Sequence, residues 1–121
     1  MPACRPGRPA PARPCGGVAL TFDDGPSGAL TERLLDGLAA RGVHATFFLC
    51  GYRIDLYPEL AARIAAEGHE AGTHGDTHSY FTSMSRAEVC RDLAEARRKL
   101  MEATGRAPTL LRPPGGLYDT A

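Results

Sequence analysis

Short apolar runs alternate with longer amphipathic stretches along most of this chain. Four apolar runs bounded by turn residues predict buried strands, at residues 17–22, 45–50, 69–73 and 109–111. Three stretches with apolar residues at helical spacing predict helices, at residues 27–41, 58–68 and 85–105. This regular alternation of strand and helix is typical of a parallel sheet with crossover helices.

Local signals mark where the predicted helices begin. Ser27 is the expected cap of the first helix, and Pro58 suits the first turn of the second. Ser85 and Glu88 form a capping box at the start of the third. The side chains expected to face the core are Leu30, Leu34 and Leu38 in the first helix, Leu60 and Ile64 in the second, and Val89, Leu93, Ala96 and Leu100 in the third.

The predicted fold class is α/β, with about four strands. A complete (β/α)8 barrel takes about 250 residues, and this chain has 121. Either the sheet is small and open, or the chain stops before its fold does, and we favour the second interpretation. Residues 17–121 are expected to form one domain.

Residues 1–16 differ in composition from the rest of the chain. They hold five prolines and three arginines with no acidic residue, so we expect a disordered tail. The tail has a basic start but no apolar stretch of about 7–15 residues, so we do not expect it to work as a signal peptide. The cellular location is left open.

Charge and cysteine content exclude several function classes. Basic and acidic residues number 14 each, so nothing favours binding to nucleic acid or to an anionic membrane. No apolar run approaches the ~20 residues that a membrane span needs. Cys4 and Cys15 lie in the tail, while Cys50 and Cys90 are expected to be small core residues. None of the four forms a C-x-x-C pair, which argues against a cysteine zinc site.

Two adjacent carboxylates, Asp23 and Asp24, follow the first predicted strand and precede Gly25-Pro26. Neighbouring carboxylates repel one another, and a divalent cation would neutralise them. A curled strand end would let both approach one cavity, one as a metal ligand and the other as a proton acceptor. The alternative is a plain turn, because Asp-Asp-Gly-Pro is also good turn chemistry.

His74 and His78 follow the third predicted strand and stand four residues apart. This spacing puts two imidazoles on one side of a compact loop, where zinc could bind them. The alternative is a pair of solvated loop histidines. Asp76, between them, could stabilise the loop as a hydrogen-bond acceptor, and His44 and His69 are expected to be structural or exposed.

A third polar segment, 112–116, follows the fourth predicted strand. Arg112 could pair with a carboxylate and hold its orientation, and the Gly115 N–H could donate to an oxyanion. Taken alone, this segment is as well explained by a Pro-Gly loop with a surface arginine. In parallel α/β folds, however, all three segments would meet beyond the carboxyl ends of the strands. Together they predict a metal-dependent hydrolytic site.

These segments resemble the motifs of the polysaccharide deacetylase family, also called the NodB-homology domain or carbohydrate esterase family four. The resemblance runs from about residue 18 to residue 119. It rests on TFDDGP at 21–26, on GHE at 68–70 followed by HGDTH at 74–78, and on RPPGG at 112–116. Their order and separation also fit the family.

The resemblance implies a distorted (β/α) barrel, of which this chain would be the N-terminal part. It implies a metal-dependent deacetylase that removes N-acetyl, or in some members O-acetyl, groups from polysaccharides such as peptidoglycan or chitin. Asp24, His74 and His78 would hold a divalent cation, most simply Zn²⁺, with Asp23 as the general base. Arg112 would orient Asp23, and the backbone of Gly115 would contact the substrate. Members usually act outside the cytoplasm.

Two positions depart from the family pattern. Gly75 stands where a serine or threonine is usual, and Gly115 where an aromatic residue is usual. Family members carry a histidine that protonates the leaving amine, and neither His44 nor His69 stands at a position that suits this role. We therefore expect the chain alone to be weakly active or inactive. Three alternatives stay open: a non-catalytic carbohydrate- or metal-binding remnant of the fold, an amidohydrolase of small molecules, and a truncated gene product with no independent role.

Overall fold

The computed structural model describes residues 16–119 and contains one parallel sheet. Its three strands lie side by side in chain order: β1 (Thr21–Gly25), β2 (Thr46–Leu49) and β3 (Glu70–Thr73). Four α-helices accompany them: α1 (Ala29–Ala40), α2 (Gly51–Leu56), α3 (Pro58–Ala66) and α4 (Arg86–Thr104). Short 3-10 turns lie at Phe81–Ser83 and Pro114–Gly116. The predicted α/β class with parallel strands and crossover helices is confirmed.

The predicted tail and its two cysteines, Cys4 and Cys15, lie almost wholly outside the described residues. No helix within residues 16–119 combines the length and the apolar character that a membrane crossing requires.

The fourth predicted strand, 109–111, is reduced to one parallel bridge between Thr73 and Leu111. The N–H and the C=O of Thr73 both hydrogen-bond to this segment, at 2.9 and 3.0 Å. Pro108 and Pro113 bracket the bridge, and neither has an N–H to extend the ladder. The segment nevertheless comes to the edge of β3, which brings Arg112 and the loop after it to the carboxyl end of the sheet.

The first strand begins four residues later than the prediction of 17–22. Val18 is 86% exposed, so this start of the apolar run has no core to pack against. Pairing with β2 begins at Thr21 opposite Thr46, preceded by one hydrogen bond from the Thr46 N–H to the Leu20 carbonyl at 2.9 Å. The two aspartates therefore lie inside β1 rather than after it.

The first helix also differs from its prediction. It begins at Ala29 after Gly28, and Ser27 does not cap it with its side chain. Instead the Ser27 N–H donates to the Thr31 hydroxyl at 2.8 Å. Leu30, predicted to face the core, is 71% exposed, and the inward face passes through Thr31 and Leu35.

The remaining helices follow their local signals more closely. The capping box of Ser85 and Glu88 is formed, and α4 ends at Gly105 with a left-handed φ of 74°. Cys50 is buried as predicted, but Cys90 is exposed. Cys90 lies six residues before the inward-facing Ala96, about 120° away from it around the helix. The buried apolar residues lie between the sheet and its helices, and those almost wholly shielded from solvent include Leu35, Leu49, Ile64 and Leu100.

His69, at the start of β3, is a buried structural histidine. Its Nδ1 accepts the backbone N–H of Ala45 at 3.1 Å, and its ring packs edge-on against Phe47 and His44. Burial lowers the pKa of His69 below its ordinary value of 6.5, and the neighbouring His44 adds a smaller effect in the same direction. Glu67 opposes the shift only in part. Protonation of Nδ1 would also abolish its role as an acceptor.

Stability should therefore decrease as the pH falls from about 7 to about 5. The unfolded chain binds a proton at His69 more readily than the folded chain does, so acid favours unfolding, by at most about 1.4 kcal/mol per pH unit for one proton. Urea unfolding at several pH values measures this slope. A His69→Gln variant, whose amide oxygen can still accept the Ala45 N–H, should have a smaller slope. An equal slope in the variant would contradict the assignment.

Candidate metal centre

Asp24 occupies a β-bulge in β1. Asp23 pairs with Phe48 and Gly25 pairs with the next residue, Leu49, so Asp24 is an extra residue without a partner on β2. Its φ is 69°, in the left-handed region. Adjacent residues of a regular strand point to opposite faces, and the bulge breaks that alternation. The bulge therefore allows the consecutive carboxylates of Asp23 and Asp24 to lie at the same edge of the sheet.

The three predicted metal ligands meet at that edge. Asp24 Oδ1 lies 3.2 Å from His74 Nε2 and 3.0 Å from His78 Nε2. One ligand atom from each residue lies within 4.8 Å of the other two. The triad draws on β1 and on the loop after β3, so the parallel topology brings together residues some 50 positions apart in the chain.

The tautomer of His74 suits a metal ligand. This ring is 3% exposed, and its Nδ1 lies 2.6 Å from the carbonyl oxygen of Arg112. A carbonyl oxygen only accepts, so Nδ1 carries the hydrogen, and in the neutral ring the lone pair is on Nε2. That lone pair faces the carboxylate of Asp24, an arrangement that a cation between them would stabilise.

The spacing of the triad fits a tetrahedral ion. Ligand atoms at ~2.0–2.1 Å from such an ion lie about 3.3 Å from one another, close to the two separations measured from Asp24 Oδ1. Within residues 16–119, Asp24 and His78 are the non-glycine residues with positive φ. Each such residue stores strain of order 1–3 kcal/mol, and strain of this kind is typical of functional sites.

Asp23 lies apart from the triad and pairs with Arg112. The guanidinium donates to Asp23 Oδ1 at 2.8 Å and to the Thr21 hydroxyl at 3.0 Å. It also lies over the ring of Phe48, 4.3 Å from the centroid. Both side chains of the ion pair are about a third exposed, so the pair orients Asp23 more than it stabilises the fold.

Gly115 lies in the loop after Arg112, with a left-handed φ of 65°. The ring of Tyr80 packs against it so closely that a Cβ at this position would lie 2.7 Å from Tyr80 Cε1. The Tyr80 ring in turn lies 6.4 Å from that of His78, measured between centroids. An aromatic side chain therefore borders the candidate metal centre, but it comes from the loop after β3, which the sequence interpretation missed.

Cys50, at the end of β2, is close to the centre but is no ligand candidate. Burial is the main cause that raises the pKa of the Cys50 thiol to about 12, and the negative charge of Asp24 is the second. The thiol therefore keeps its proton at neutral pH in the metal-free chain, and Cys50 does not belong to the cluster of ligand atoms.

Asp92, on α4, is the other residue that sequence reasoning missed. Its carboxylate is buried and accepts hydrogen bonds from the loop that carries His74 and His78. A signal was present in the sequence, because Asp92 stands four residues before Ala96, on the face that α4 turns to the core. An acidic residue in the middle of an apolar stripe indicates a buried polar partner.

The parallel sheet and the Asp-His-His cluster at its carboxyl edge define the class as an α/β protein with a candidate metal site. A family model described as Polysaccharide deacetylase matches residues 10–121, and the chain belongs to this family. The resemblance that the motifs indicated is thereby confirmed.

Similar proteins include a peptidoglycan deacetylase and an acetyl xylan esterase. The chain is 42% identical over 103 residues to the peptidoglycan-N-acetylmuramic acid deacetylase PdaC of Bacillus subtilis, across 84% of this chain and 22% of PdaC. The solved structure of PdaC matches with a TM-score of 0.82 and 40% identity, across 84% of this chain and 50% of that one. A family 4 acetyl xylan esterase from Clostridium thermocellum, solved with a cobalt ion, matches with a TM-score of 0.78 and 36% identity, across 82% of this chain and 49% of the esterase.

The chain therefore spans about half the length of these solved structures and less than a quarter of full-length PdaC.

Proposed function

We propose that this chain carries the cation-binding part of a hydrolase that removes N-acetyl groups from a cell-wall polysaccharide, with peptidoglycan the favoured substrate. The observation that carries the proposal is the convergence of Asp24, His74 and His78, with Asp23 held apart by Arg112. The name of PdaC supports N-deacetylation of peptidoglycan, and that of the xylan esterase keeps O-deacetylation as the alternative.

The proposed cation is Zn²⁺. Two neutral imidazoles and one carboxylate form a donor set that suits zinc, and three protein ligands leave a position open for catalysis. The cobalt ion in the structure of the xylan esterase supports a divalent cation in this family. Co²⁺ can therefore replace Zn²⁺ as a spectroscopic probe of the site. When bound, the cation would polarise the acetyl carbonyl and activate water.

The residues around the triad would supply the remaining chemistry. Asp23 is proposed to accept the proton of the attacking water, because it is near the triad but takes no part in it. Arg112 would keep the Asp23 carboxylate in place through the 2.8 Å contact. The Gly115 N–H is proposed to donate to the substrate oxygen on which negative charge develops.

Turnover by this chain is proposed to be slow. The two other histidines, His44 and His69, lie at the amino ends of β2 and β3, whereas the triad lies at the carboxyl ends. A strand of four residues is about 13 Å long, so neither can protonate the leaving amine. Among the described residues no other histidine is available, and lack of a general acid typically costs about 10²–10⁴ in rate.

Zinc titration and acetate release together test this proposal. Metal-free chain is titrated with Zn²⁺ in a calorimeter, and the loaded chain is then incubated with peptidoglycan, with acetylated xylan and with a small acetylated amide. We expect one Zn²⁺ per chain and slow acetate release, fastest from peptidoglycan. Faster release from the small amide would support an amidohydrolase instead. Zinc binding with no acetate release from any substrate would support a non-catalytic, metal-binding remnant. No zinc binding would contradict both the metal-dependent hydrolase and the metal-binding remnant.

A further inference from the structure

The loop between the two candidate histidines is held from one side by the start of α2. The Gly51 N–H donates to the Gly75 carbonyl at 3.0 Å, and the Tyr52 N–H donates to the Asp76 carbonyl at 2.9 Å. The Gly75 N–H is satisfied within the loop by the Thr73 hydroxyl at 3.2 Å. The first N–H groups of a helix need acceptors outside the helix, and the carbonyl groups of the loop provide them for α2.

The other side of the loop is held from α4 by Lys99, whose Nζ donates to Asp76 Oδ1 at 2.7 Å, and by Asp92, the side chain that binds the loop backbone. Asp92 Oδ2 accepts the Asp76 N–H at 2.8 Å. Its Oδ1 accepts both the N–H of Thr77, at 3.3 Å, and the hydroxyl of Thr77, at 2.9 Å. One carboxylate thus receives three donors from two consecutive residues, and these are the residues that separate Gly75 from His78.

The chemistry of this contact calls for an ionised carboxylate. Asp92 is 8% exposed, and a buried charge persists only when its lone pairs are occupied. Within residues 16–119 no lysine or arginine forms an ion pair with it, so the donors of the loop are its partners. An amide in its place would put an NH₂ group against one of these donors.

The close approach of Asp92 also explains the glycine between His74 and Asp76. A Cβ on Gly75 would lie 2.9 Å from Asp92 Oδ2, and the φ of Gly75 is +86°, where side chains are strained. The family usually has a serine or threonine at this position. In this chain the glycine leaves room for Asp92 of α4, which holds the same loop.

We propose that Asp92 is a positioning residue of the metal centre, which holds residues 76 and 77 so that His78 keeps its left-handed backbone and aims Nε2 at Asp24. The φ of His78 is 59°, and a residue in this region persists only when its surroundings impose it. This inference rests on the proposed function, because it assumes that the triad binds a cation.

The test compares Asp92→Asn with Glu102→Gln, a matched loss of one carboxylate at an exposed position of the same helix. Three quantities are measured on the full chain: amide hydrogen exchange of residues 76 and 77 without metal, the Kd for Zn²⁺, and the visible spectrum of the Co²⁺ form. Amide hydrogen exchange is measured without metal, so it does not depend on metal binding. The Co²⁺ spectrum reports the geometry of the ligands. A general loss of stability would leave that geometry unchanged in the molecules that remain folded.

In Asp92→Asn we expect exchange at residues 76 and 77 to accelerate by at least about 10-fold, while the amides of β2 keep their rates. The Kd for Zn²⁺ should rise about 10–100-fold, as for other partners that orient metal ligands, and the Co²⁺ spectrum should change. Glu102→Gln should match the wild type in all three. An Asp92→Asn variant with wild-type Kd and spectrum would overturn the proposal.

Two further outcomes are separable. If Asp92→Asn does not fold, Thr77→Val removes the hydroxyl donor from Asp92, together with the 2.8 Å hydrogen bond of that hydroxyl to the Ser79 hydroxyl. It should raise the Kd for Zn²⁺ by a few-fold, and an unchanged Kd would overturn the inference. If the wild-type chain binds neither Zn²⁺ nor Co²⁺, the proposed function fails. Faster exchange at residues 76 and 77 in Asp92→Asn would then still show that Asp92 holds the loop, but would remove its link to a metal.

Discussion

Replacing Asp24 with alanine is expected to raise the Kd for Zn²⁺ by more than about 100-fold, beyond the 10–100-fold typical when only an orienting partner is lost. The substitution removes the oxygen that lies 3.2 and 3.0 Å from the two imidazole nitrogens, so two neutral nitrogens remain without an anionic ligand. Isothermal titration of the metal-free chain with Zn²⁺ measures the change.

The adjacent aspartate provides the matched control. Asp23→Ala removes a carboxylate from the same strand, yet Asp23 pairs with Arg112 and does not belong to the triad. We expect its Kd for Zn²⁺ to stay within about three-fold of the wild type. Equal losses of affinity in Asp23→Ala and Asp24→Ala would mean that both carboxylates bind the ion, and the division of roles between them would be wrong.

The second large effect is expected from Asp23→Asn, which should lower acetate release from peptidoglycan by about 10²–10⁴-fold. Asparagine has nearly the same shape, and its amide oxygen can still accept the hydrogen bond from Arg112, but it cannot take up a proton. The measurement is acetate release by the Zn²⁺-loaded chain over long incubations.

Zinc affinity again separates the explanations for Asp23→Asn. Loss of acetate release with an unchanged Kd for Zn²⁺ is the expected result, because the variant lacks a proton acceptor but keeps its cation. Wild-type release by Asp23→Asn would exclude Asp23 as the base. Loss of release together with loss of zinc would indicate that Asp23 supports the triad instead.

Most of the fold and the triad could be predicted because their signals are local and chemical. The capping box of Ser85 and Glu88 and the stop at Gly105 depend on neighbouring residues alone, and α4 formed where they indicated. The parallel topology then brings His74 to the strand end beside Asp24 whatever the details of packing, because carboxyl ends of parallel strands share one edge.

The features that escaped prediction depend on contacts between distant parts of the chain. Pairing with β2 decides where β1 begins, so the apolar residues before Thr21 were a poor guide. The six residues of α2 follow directly on β2, too short a stretch for helical periodicity to emerge. The bulge at Asp24 and the contact of Asp92 with the loop likewise arise only when strands and helices pack together.

The central claim is that Asp24, His74 and His78 hold one cation while Asp23 stays outside its coordination shell. A crystal structure of the zinc-loaded chain, with anomalous scattering to locate the metal, tests it most directly. We predict one zinc within about 2.0–2.2 Å of Asp24, His74 Nε2 and His78 Nε2, with Asp23 still on Arg112. A zinc bound elsewhere, or one with Asp23 among its ligands, would contradict the account.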